Sequence, residues 1–509
     1  MRRLHPTIIL FFILFTLVLS AQTKPNVVVV LVDDLGLGDV SYYRKAHSDT
    51  IIVETPAIDA LAENGAVFTN AHAPAALCAP SRYAIMTGNH CYRSDAPWGV
   101  WGSYEKSPIK ENQLTLAKLM KQAGYQTAFF GKWHIGGDFL RKDDPNTIYR
   151  GPRNKPELDV DIRKIMGGGP RYQGFDYALS FQAGIQDVPY AIYENSVLKP
   201  IARNSEITFI SQTKMDKIGV KLDKAEGLGD SNWNPHDMGP LLVKKAMDYI
   251  DANAHKDKPF FMYYSALAVH LPHTPTDELN GIKIAGTAPS KHLDLVKELD
   301  VQIQMLIDTL KNQGIYDDTI IMLTSDNGGL LRKNTLKSGH RPSDIYRGGK
   351  NQAFEGGNRV PFIVSWNNHF KHQINESPVL GLDIMATLAE LNHIEISADQ
   401  ALDSSSLLPL LENETEDLDR IIYTQSGTGK EVMLIKDGFK LILQVDKSDK
   451  SNHTQTPIAL FNLNDNPGEL EAHNLITKAQ YQPKIKELAT LYHATRKSGR
   501  PTASRFVNN

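Results

Sequence analysis

Cysteine is almost missing from this chain: Cys78 and Cys91 are the only two in 509 residues. A disulfide framework is therefore excluded as the basis of the fold, and an oxidising compartment could add one bridge at most. An excess of either charge is also missing. The chain carries 55 Lys and Arg against 58 Asp and Glu, a formal net charge of −3. Such a balance offers no global field to nucleic acid. An anionic substrate would have to be held by a few placed cations. No later segment resembles a membrane span, and no internal repeat or low-complexity tract interrupts the chain.

The first apolar run has its own explanation. Met1-Arg2-Arg3 is basic, Ile8 to Leu19 is apolar except for Thr16, and Leu19-Ser20-Ala21 offers small residues before Gln22. These are the three parts of a secretory signal peptide, here residues 1–21. The run is shorter than the roughly 18–20 residues of a span, and no cysteine follows it to carry a lipid. The mature chain is expected to be exported and soluble, with no stable membrane anchor. Its Lys, Asn and Ile content leans bacterial, which favours the periplasm over secretion.

Continuous apolar runs at Val27–Val32, Thr127–Phe130, Phe260–Ala268, Ile320–Thr324 and Phe362–Trp366 suit strands buried on both faces, as in a parallel sheet. Helical spacing lies between them at Thr55–Asn64, with Thr55 as cap and Pro56 at the first position, and at Leu114–Ala123 and Leu293–Gln313. The alternation predicts an α/β fold: a large mixed, mostly parallel sheet sandwiched by helices. Lys142–Tyr172 and Asp216–Asn234 are polar, Gly- and Pro-containing stretches that read as long surface insertions. Near residue 400 the pattern changes to short strand-like runs, Ile421–Thr424, Glu431–Ile435, Lys440–Gln444 and Ile458–Asn462, with a turn at Asp437-Gly438. Helical spacing over Gln482–Thr495 follows. This divides the chain into a catalytic domain, 22–400, and a C-terminal subdomain, 401–509, with a small antiparallel sheet and a terminal helix.

Polar residues fall where the apolar runs stop. Val27–Val32 ends at Asp33-Asp34, Thr127–Phe130 at Gly131-Lys132-Trp133-His134, Phe260–Ala268 near His270, and Ile320–Thr324 just before Asp326-Asn327. In open α/β sheets ligands bind at the carboxyl ends of the strands. Asp33, Asp34, Asp326 and Asn327 offer only oxygen, a set for Ca²⁺ or Mg²⁺ and not for zinc. Either pair alone reads better as a loop start or a turn with helix caps; two such pairs, both at the ends of buried runs, point to a metal. Cys78-Ala79-Pro80-Ser81-Arg82 reads as the start of a helix that Gly88 can end. Cys78 then sits at the helix N-terminus, with Arg82 one turn on, as a thiol in electropositive surroundings. A buried cysteine serving as a small hydrophobe fits the same five residues.

Together with Thr87-Gly88, the Cys78–Arg82 segment resembles the signature of type I sulfatases, members of the alkaline phosphatase superfamily. The resemblance extends through Asn26–Asp34, Gly131–His134, Thr324–Gly328 and Gly349-Lys350 to Phe354–Pro361, nearly the whole mature chain. It implies oxidation of Cys78 to formylglycine by a formylglycine-generating or anaerobic sulfatase-maturating enzyme. It also implies one divalent ion, Ca²⁺ before Mg²⁺, held by Asp33, Asp34, Asp326, Asn327 and the residue-78 oxygen. In such enzymes Arg82 steadies the hydrated aldehyde and Lys132 and Lys350 bind sulfate oxygens. His134 assists sulfate release, and His270 protonates the departing oxygen. The implied substrate is a sulfated saccharide, from an algal polysaccharide such as ulvan, carrageenan or fucoidan, or from a glycosaminoglycan. Two other readings stay open: a phosphodiesterase or phosphonate monoester hydrolase of the same superfamily, and a non-catalytic glycan-binding relative. Arg93, Trp98 and Trp101, just beyond the signature helix, could line a sugar subsite. His270 and His273 flank Pro272, and only motif position favours His270 as the acid; His72 and His340 receive no role, and Glu355-Gly356-Gly357 reads as structural.

Overall fold

Asn26–Val32 (β1) is buried at every position, because it lies at the centre of a ten-stranded sheet in a computed structural model that describes residues 24–151, 158–413, 417–448 and 455–497. Residues 1–21, read as a signal peptide, lie outside the described residues. The other strands are Ala66–Phe68 (β2), Gln126–Lys132 (β3), Tyr177–Ile185 (β4), Ile192–Glu194 (β5), Val197–Lys199 (β6), Phe260–Ser265 (β7), Thr319–Ser325 (β8), Phe362–Trp366 (β9) and Gln373–Asn375 (β10). Their order across the sheet is β6-β5-β4-β3-β7-β1-β8-β9-β2-β10. From β4 to β8 every neighbour is parallel. The expected parallel direction fails for Phe362–Trp366, which runs antiparallel to β8. Burial on both faces produced its continuous apolar run, and burial carries no direction.

Helices cover both faces: Pro56–Glu63 (α1), Cys78–Thr87 (α2), Leu116–Gln122 (α3), Met238–Asn253 (α4), Lys291–Asn312 (α5) and Ile384–Leu391 (α6). The period of two in β1 divides its side chains between them. Val28, Val30 and Val32 pack with residues of α1, α4 and α5. Val27, Val29 and Leu31 pack with residues of α2, α3 and α6. No described helix is long and apolar enough to cross a membrane.

Thr55 does stand at the N-cap of α1, but its side chain makes no capping bond. Its hydroxyl donates to Asp59 instead. The cap comes from α5: Asp300 accepts from the Ile58 and Ala57 backbone N–H groups at 2.9 and 3.2 Å. Burial pushes the Asp300 carboxyl up to about 7, against the pull of those two donors. A pKa raised by folding contributes stability that is complete below about pH 4 and is lost as pH rises through about 7. Asp300→Asn is therefore expected to flatten part of the fall in unfolding free energy between pH 4 and 7, by at most about 4 kcal/mol. Urea titrations at the two ends of that window read it, and a variant whose loss matches the wild type would place Asp300 near the ordinary carboxylate range.

The C-terminal strands are Ile422–Gln425 (β11), Glu431–Lys436 (β12), Phe439–Val445 (β13) and Gln455–Asn462 (β14), antiparallel in that order. Asp437 and Gly438 have φ of 51° and 76°, the left-handed pair of a two-residue hairpin turn. Gln482–Lys497 (α7) lays Leu488 and Tyr492 on Leu434, Leu441 and Leu443 of this sheet. The two insertions are more ordered than expected. Ile148–Tyr149 and Val160–Asp161 pair with Phe139–Arg141, and Gly227–Asp230 pairs with Ile207–Ile210.

Candidate active site

Because β3, β7, β1 and β8 are adjacent and parallel, their carboxyl ends open on one edge. β1 delivers Asp33 and Asp34, β3 ends in Lys132, β8 delivers Asp326 and Asn327, and β7 leads to His270. Gly131 permits this spacing. Its φ is +107°, and a Cβ there would stand 1.8 Å from the Ser265 carbonyl oxygen, so no other residue fits. Asp34 and His134 have φ of 66° and 56°, a conformation that costs side-chain-bearing residues on the order of 1 kcal/mol and concentrates at functional sites.

Cys78 is the first residue of α2, and Gly88 ends that helix at φ 67°. Ser81 explains its own place in the motif: its Oγ donates to the Ala75 carbonyl at 2.8 Å and accepts from the Ala75 N–H at 3.0 Å. This clamps the chain that enters the helix at Cys78. The Lys350 loop is tied to the same segment, with Asn351 N–H donating to the Ala76 carbonyl at 2.7 Å.

Three cations face three carboxylates, all buried. Arg82 Nη2 lies 2.7 Å from Asp326 Oδ2 and 3.4 Å from Asp33 Oδ1. Lys132 Nζ donates to Asp33 Oδ2 and to Gln186 Oε1, each at 2.8 Å. Lys350 Nζ lies 2.6 Å from Asp34 Oδ1. Arg82 is fixed from behind, with Nη1 donating to Ser265 Oγ at 2.6 Å and to the Lys132 carbonyl at 3.1 Å. Burial works against ionisation of Asp33 and Asp34, yet Lys132 and Lys350 respectively lead the charges that hold both below the usual carboxylate range. Burial wins at Asp326 and pushes it up to about 7, even beside Arg82. His270 Nδ1–H donates to the Leu271 carbonyl at 2.7 Å, which turns Nε2 toward Asp34 Oδ2, 3.6 Å away. Burial, and then Lys350, pull this imidazole down to about 4. His134 is buried.

Carboxylate oxygens of Asp33, Asp34 and Asp326 lie within 4.8 Å of one another, and Cys78 Sγ groups in the same way with Asp33 and His270. Asn327 spends its Nδ2 hydrogens on Asp34 Oδ1 and the Gly328 carbonyl. Its Oδ1, like Asp33 Oδ1, is buried with no hydrogen-bond donor. Four oxygen-bearing side chains with two undonated oxygens fit a hard divalent cation. Asp33, Asp34, Cys78, Arg82, Lys132, His270, Asp326, Asn327 and Lys350 thus arrive at one edge, and His134 follows Lys132 by two residues.

Arg93, Trp98 and Trp101, which could line a sugar subsite, each have a protein partner. Trp101 is buried against Tyr83, ring centroids 5.7 Å apart. Arg93 holds Asp403 through Nε and Nη2, both at 2.6 Å. Trp98 lies beneath Lys447 and Arg496, 5.3 and 5.5 Å from its ring. The main core takes Trp101, Asp403 holds Arg93, and the C-terminal helix covers Trp98. Cys78 and Cys91 are both buried and unbridged. Burial pushes the Cys91 thiol up to about 12, which makes it inert. His72 and His340 are core residues, bonded to Glu355 at 3.0 Å and Asp39 at 2.7 Å. Sequence reasoning missed Gln186 and Ser265. Gln186 follows the end of β4, the same strand-end placement that marked the others, whereas Ser265 hides inside an apolar run.

The N-acetylgalactosamine-6-O-sulfatase of Bacteroides thetaiotaomicron is 29% identical over 512 residues, 93% of each chain. Human arylsulfatase D is 30% identical over 76% of this chain and 68% of its own. A solved structure from work on the metabolism of multiple glycosaminoglycans by B. thetaiotaomicron superposes with a TM-score of 0.78 at 27% identity, covering 94% of this chain and 100% of that one. The sulfatase family model matches residues 25–394, a span that holds every residue of the strand-end cluster. The chain belongs to the sulfatase family, hydrolases of sulfuric esters.

Proposed function

We propose that this sulfatase removes sulfate from a sulfated carbohydrate, with Cys78 converted to formylglycine and one divalent cation, Ca²⁺ in first place, in the oxygen site. The observation that carries this reading is the placement of Cys78 at a helix N-terminus, grouped with Asp33 and His270 and beside the Arg82, Lys132 and Lys350 cations. The carbohydrate is supported by the N-acetylgalactosamine-6-O-sulfatase relative and by the glycosaminoglycan context of the structural neighbour.

Formylglycine, when hydrated, supplies a hydroxyl nucleophile and a second hydroxyl that allows sulfate to be eliminated. A cation held by Asp33, Asp34, Asp326 and Asn327 supplies Lewis acidity toward a sulfate oxygen. The chain's own residues do the rest. Arg82, immobilised by Ser265 and the Lys132 carbonyl, orients position 78. Lys132 and Lys350 place ammonium groups where charge develops on the sulfate oxygens. His134 assists sulfate release. His270, oriented by its bond to the Leu271 carbonyl, faces the leaving oxygen through Nε2 and delivers a proton there from its imidazolium form, which the negative charge of the bound sulfate favours.

That last role has a sharp consequence. A sugar alkoxide needs a proton to leave, whereas a nitrophenoxide does not. His270→Ala is expected to lower kcat on a sugar sulfate by about 10²–10⁴-fold and to leave nitrophenyl sulfate far less affected. Equal losses on both would give His270 another task. Chelation is expected to abolish turnover and to lower the urea midpoint, since a ligand of the native state stabilises it. Ca²⁺ should restore both more fully than Mg²⁺.

The reading is tested by mass analysis of a panel of defined sulfated oligosaccharides, together with nitrophenyl sulfate and a nitrophenyl phosphate diester. Preference for the phosphate diester would move the chain toward the phosphodiesterases and phosphonate hydrolases. Residues 1–21 are proposed to direct export to the periplasm; a purified chain beginning at Gln22 is the expected outcome.

A further inference from the structure

Two loops leave the catalytic edge for the same place. Residues 271–274 follow His270, and residues 332–335 follow Asn327; both line one cavity of about 650 Å³. A residue advances the chain by at most about 3.6 Å, so His273 lies within about 11 Å of His270, and Arg332 within about 18 Å of Asn327. A third wall, residues 219–223, comes from the polar insertion at Asp216–Asn234, and a fourth from Ser290 to His292 at the start of α5.

The lining is strongly one-sided in charge. Lys221, Lys291, Arg332 and Lys333 all line the cavity and all are exposed. None of the four forms an ion pair among the described residues. The one carboxylate in the wall, Asp223, is already paired with Lys224 at 3.1 Å. Lys291 opens a 22-residue helix whose Ser290 cap takes the Leu293 N–H, and this end adds its own positive potential. His273 Nε2 is buried without a hydrogen-bond partner. Lys45 and Lys121, by contrast, sit beside Asp59 and Asp176. Four unpaired cations around one concavity are a site for an anion.

We infer that this cavity is a second anion subsite, which binds a carboxylate or further sulfate on the sugar next to the one being desulfated. It rests on the sulfatase reading for the identity of the saccharide and adds that the preferred substrate is polyanionic. Lys221, Lys291, Arg332 and Lys333 take the second anion while Lys132 and Lys350 take the scissile sulfate. The cations are solvent-exposed, so the preference weakens as salt rises.

The test is calorimetric and uses the full chain with Cys78→Ala, so that no ligand is consumed. The probes are a disaccharide with one sulfate ester and one neighbouring carboxylate, the same disaccharide with that carboxylate reduced to the alcohol, and a third with a second sulfate in its place. At low ionic strength the two dianionic probes are expected to bind about tenfold or more tightly than the reduced one. Adding Arg332→Ser and Lys333→Ser should erase the difference. Equal affinity for all three, including no binding of any, overturns the inference, as does a preference that survives the double substitution. A tighter hold by the carboxylate or by the sulfate tells which anion the subsite takes. Failure of the sulfatase reading shows separately, as a matured enzyme that leaves nitrophenyl sulfate intact.

Discussion

Cys78→Ala is expected to lower kcat on nitrophenyl sulfate by at least about 10⁴-fold, the scale on which loss of a nucleophile acts, with little change in stability. The residue is small and buried at the first turn of α2, and alanine keeps the helix. Cys78→Ser separates two halves of the proposed chemistry. Serine at a helix N-terminus beside Arg82 has a hydroxyl that can attack sulfur. A bond from the serine oxygen to sulfur would form, and the S–O bond to the leaving group would break. Serine has no second hydroxyl from which to expel sulfate, so the reaction is expected to stop after one turnover. A burst equal to the enzyme concentration, and a sulfated residue-78 peptide in the mass spectrum of that variant, are the readouts. In the active wild-type enzyme the residue-78 peptide should be lighter than a cysteine peptide in its aldehyde form, while the hydrate has nearly the cysteine peptide's mass and is told apart by its exact mass or by reaction of the aldehyde with a hydrazide. An unmodified thiol in fully active enzyme would overturn the formylglycine proposal, and steady turnover by the serine variant would refute the need for a second hydroxyl.

The legible part of this site was the part that β-sheet physics writes into local sequence. A parallel strand buried on both faces must be apolar throughout, so the first polar residue after it marks the sheet edge. Asp33, Lys132, His270 and Asp326 could all be located that way. The direction of Phe362–Trp366 could not, because parallel and antiparallel central strands are buried alike. The fate of Trp101 and Arg93 was hidden for a different reason. Aromatic and cationic side chains serve sugar binding and loop packing equally well, and the choice is made by what lies opposite. Here Asp403 lies opposite Arg93, 310 residues along the chain, and α7 lies over the neighbouring Trp98. The cationic cavity was illegible because Lys221, Lys291 and Arg332 are far apart in sequence and each alone reads as a solvated surface residue.

The same distance in sequence concealed a buried charge network that gives Glu355 a definite function. Lys440 projects from β13 into the main domain and is fully buried. Its Nζ lies 2.9 Å from Glu355 Oε1 and 2.9 Å from Glu469 Oε1. Glu355 also accepts from Arg359, at 2.7 Å, and faces His72 Nε2 at 3.0 Å. Burial opposes charge at every member, but Lys440 leads the interactions that hold Glu355 well below the usual range. Breaking such a set from one side leaves uncompensated charge in the interior, which costs about 3–5 kcal/mol. Lys440→Met is therefore expected to lower the unfolding free energy by that amount in urea titrations. The loss should reach activity as well, since Glu355 lies five residues beyond Lys350 in the same loop. Neutralising one acid should reverse the effect: a double variant with Lys440→Met and Glu469→Gln, which leaves Glu355 paired with Arg359, is expected to regain much of the stability, because removing a buried pair together costs far less than removing one member. If the double variant is no more stable than Lys440→Met, the lysine acts by filling space between sheet and loop, and the electrostatic account of how the C-terminal sheet holds the Lys350 loop is wrong.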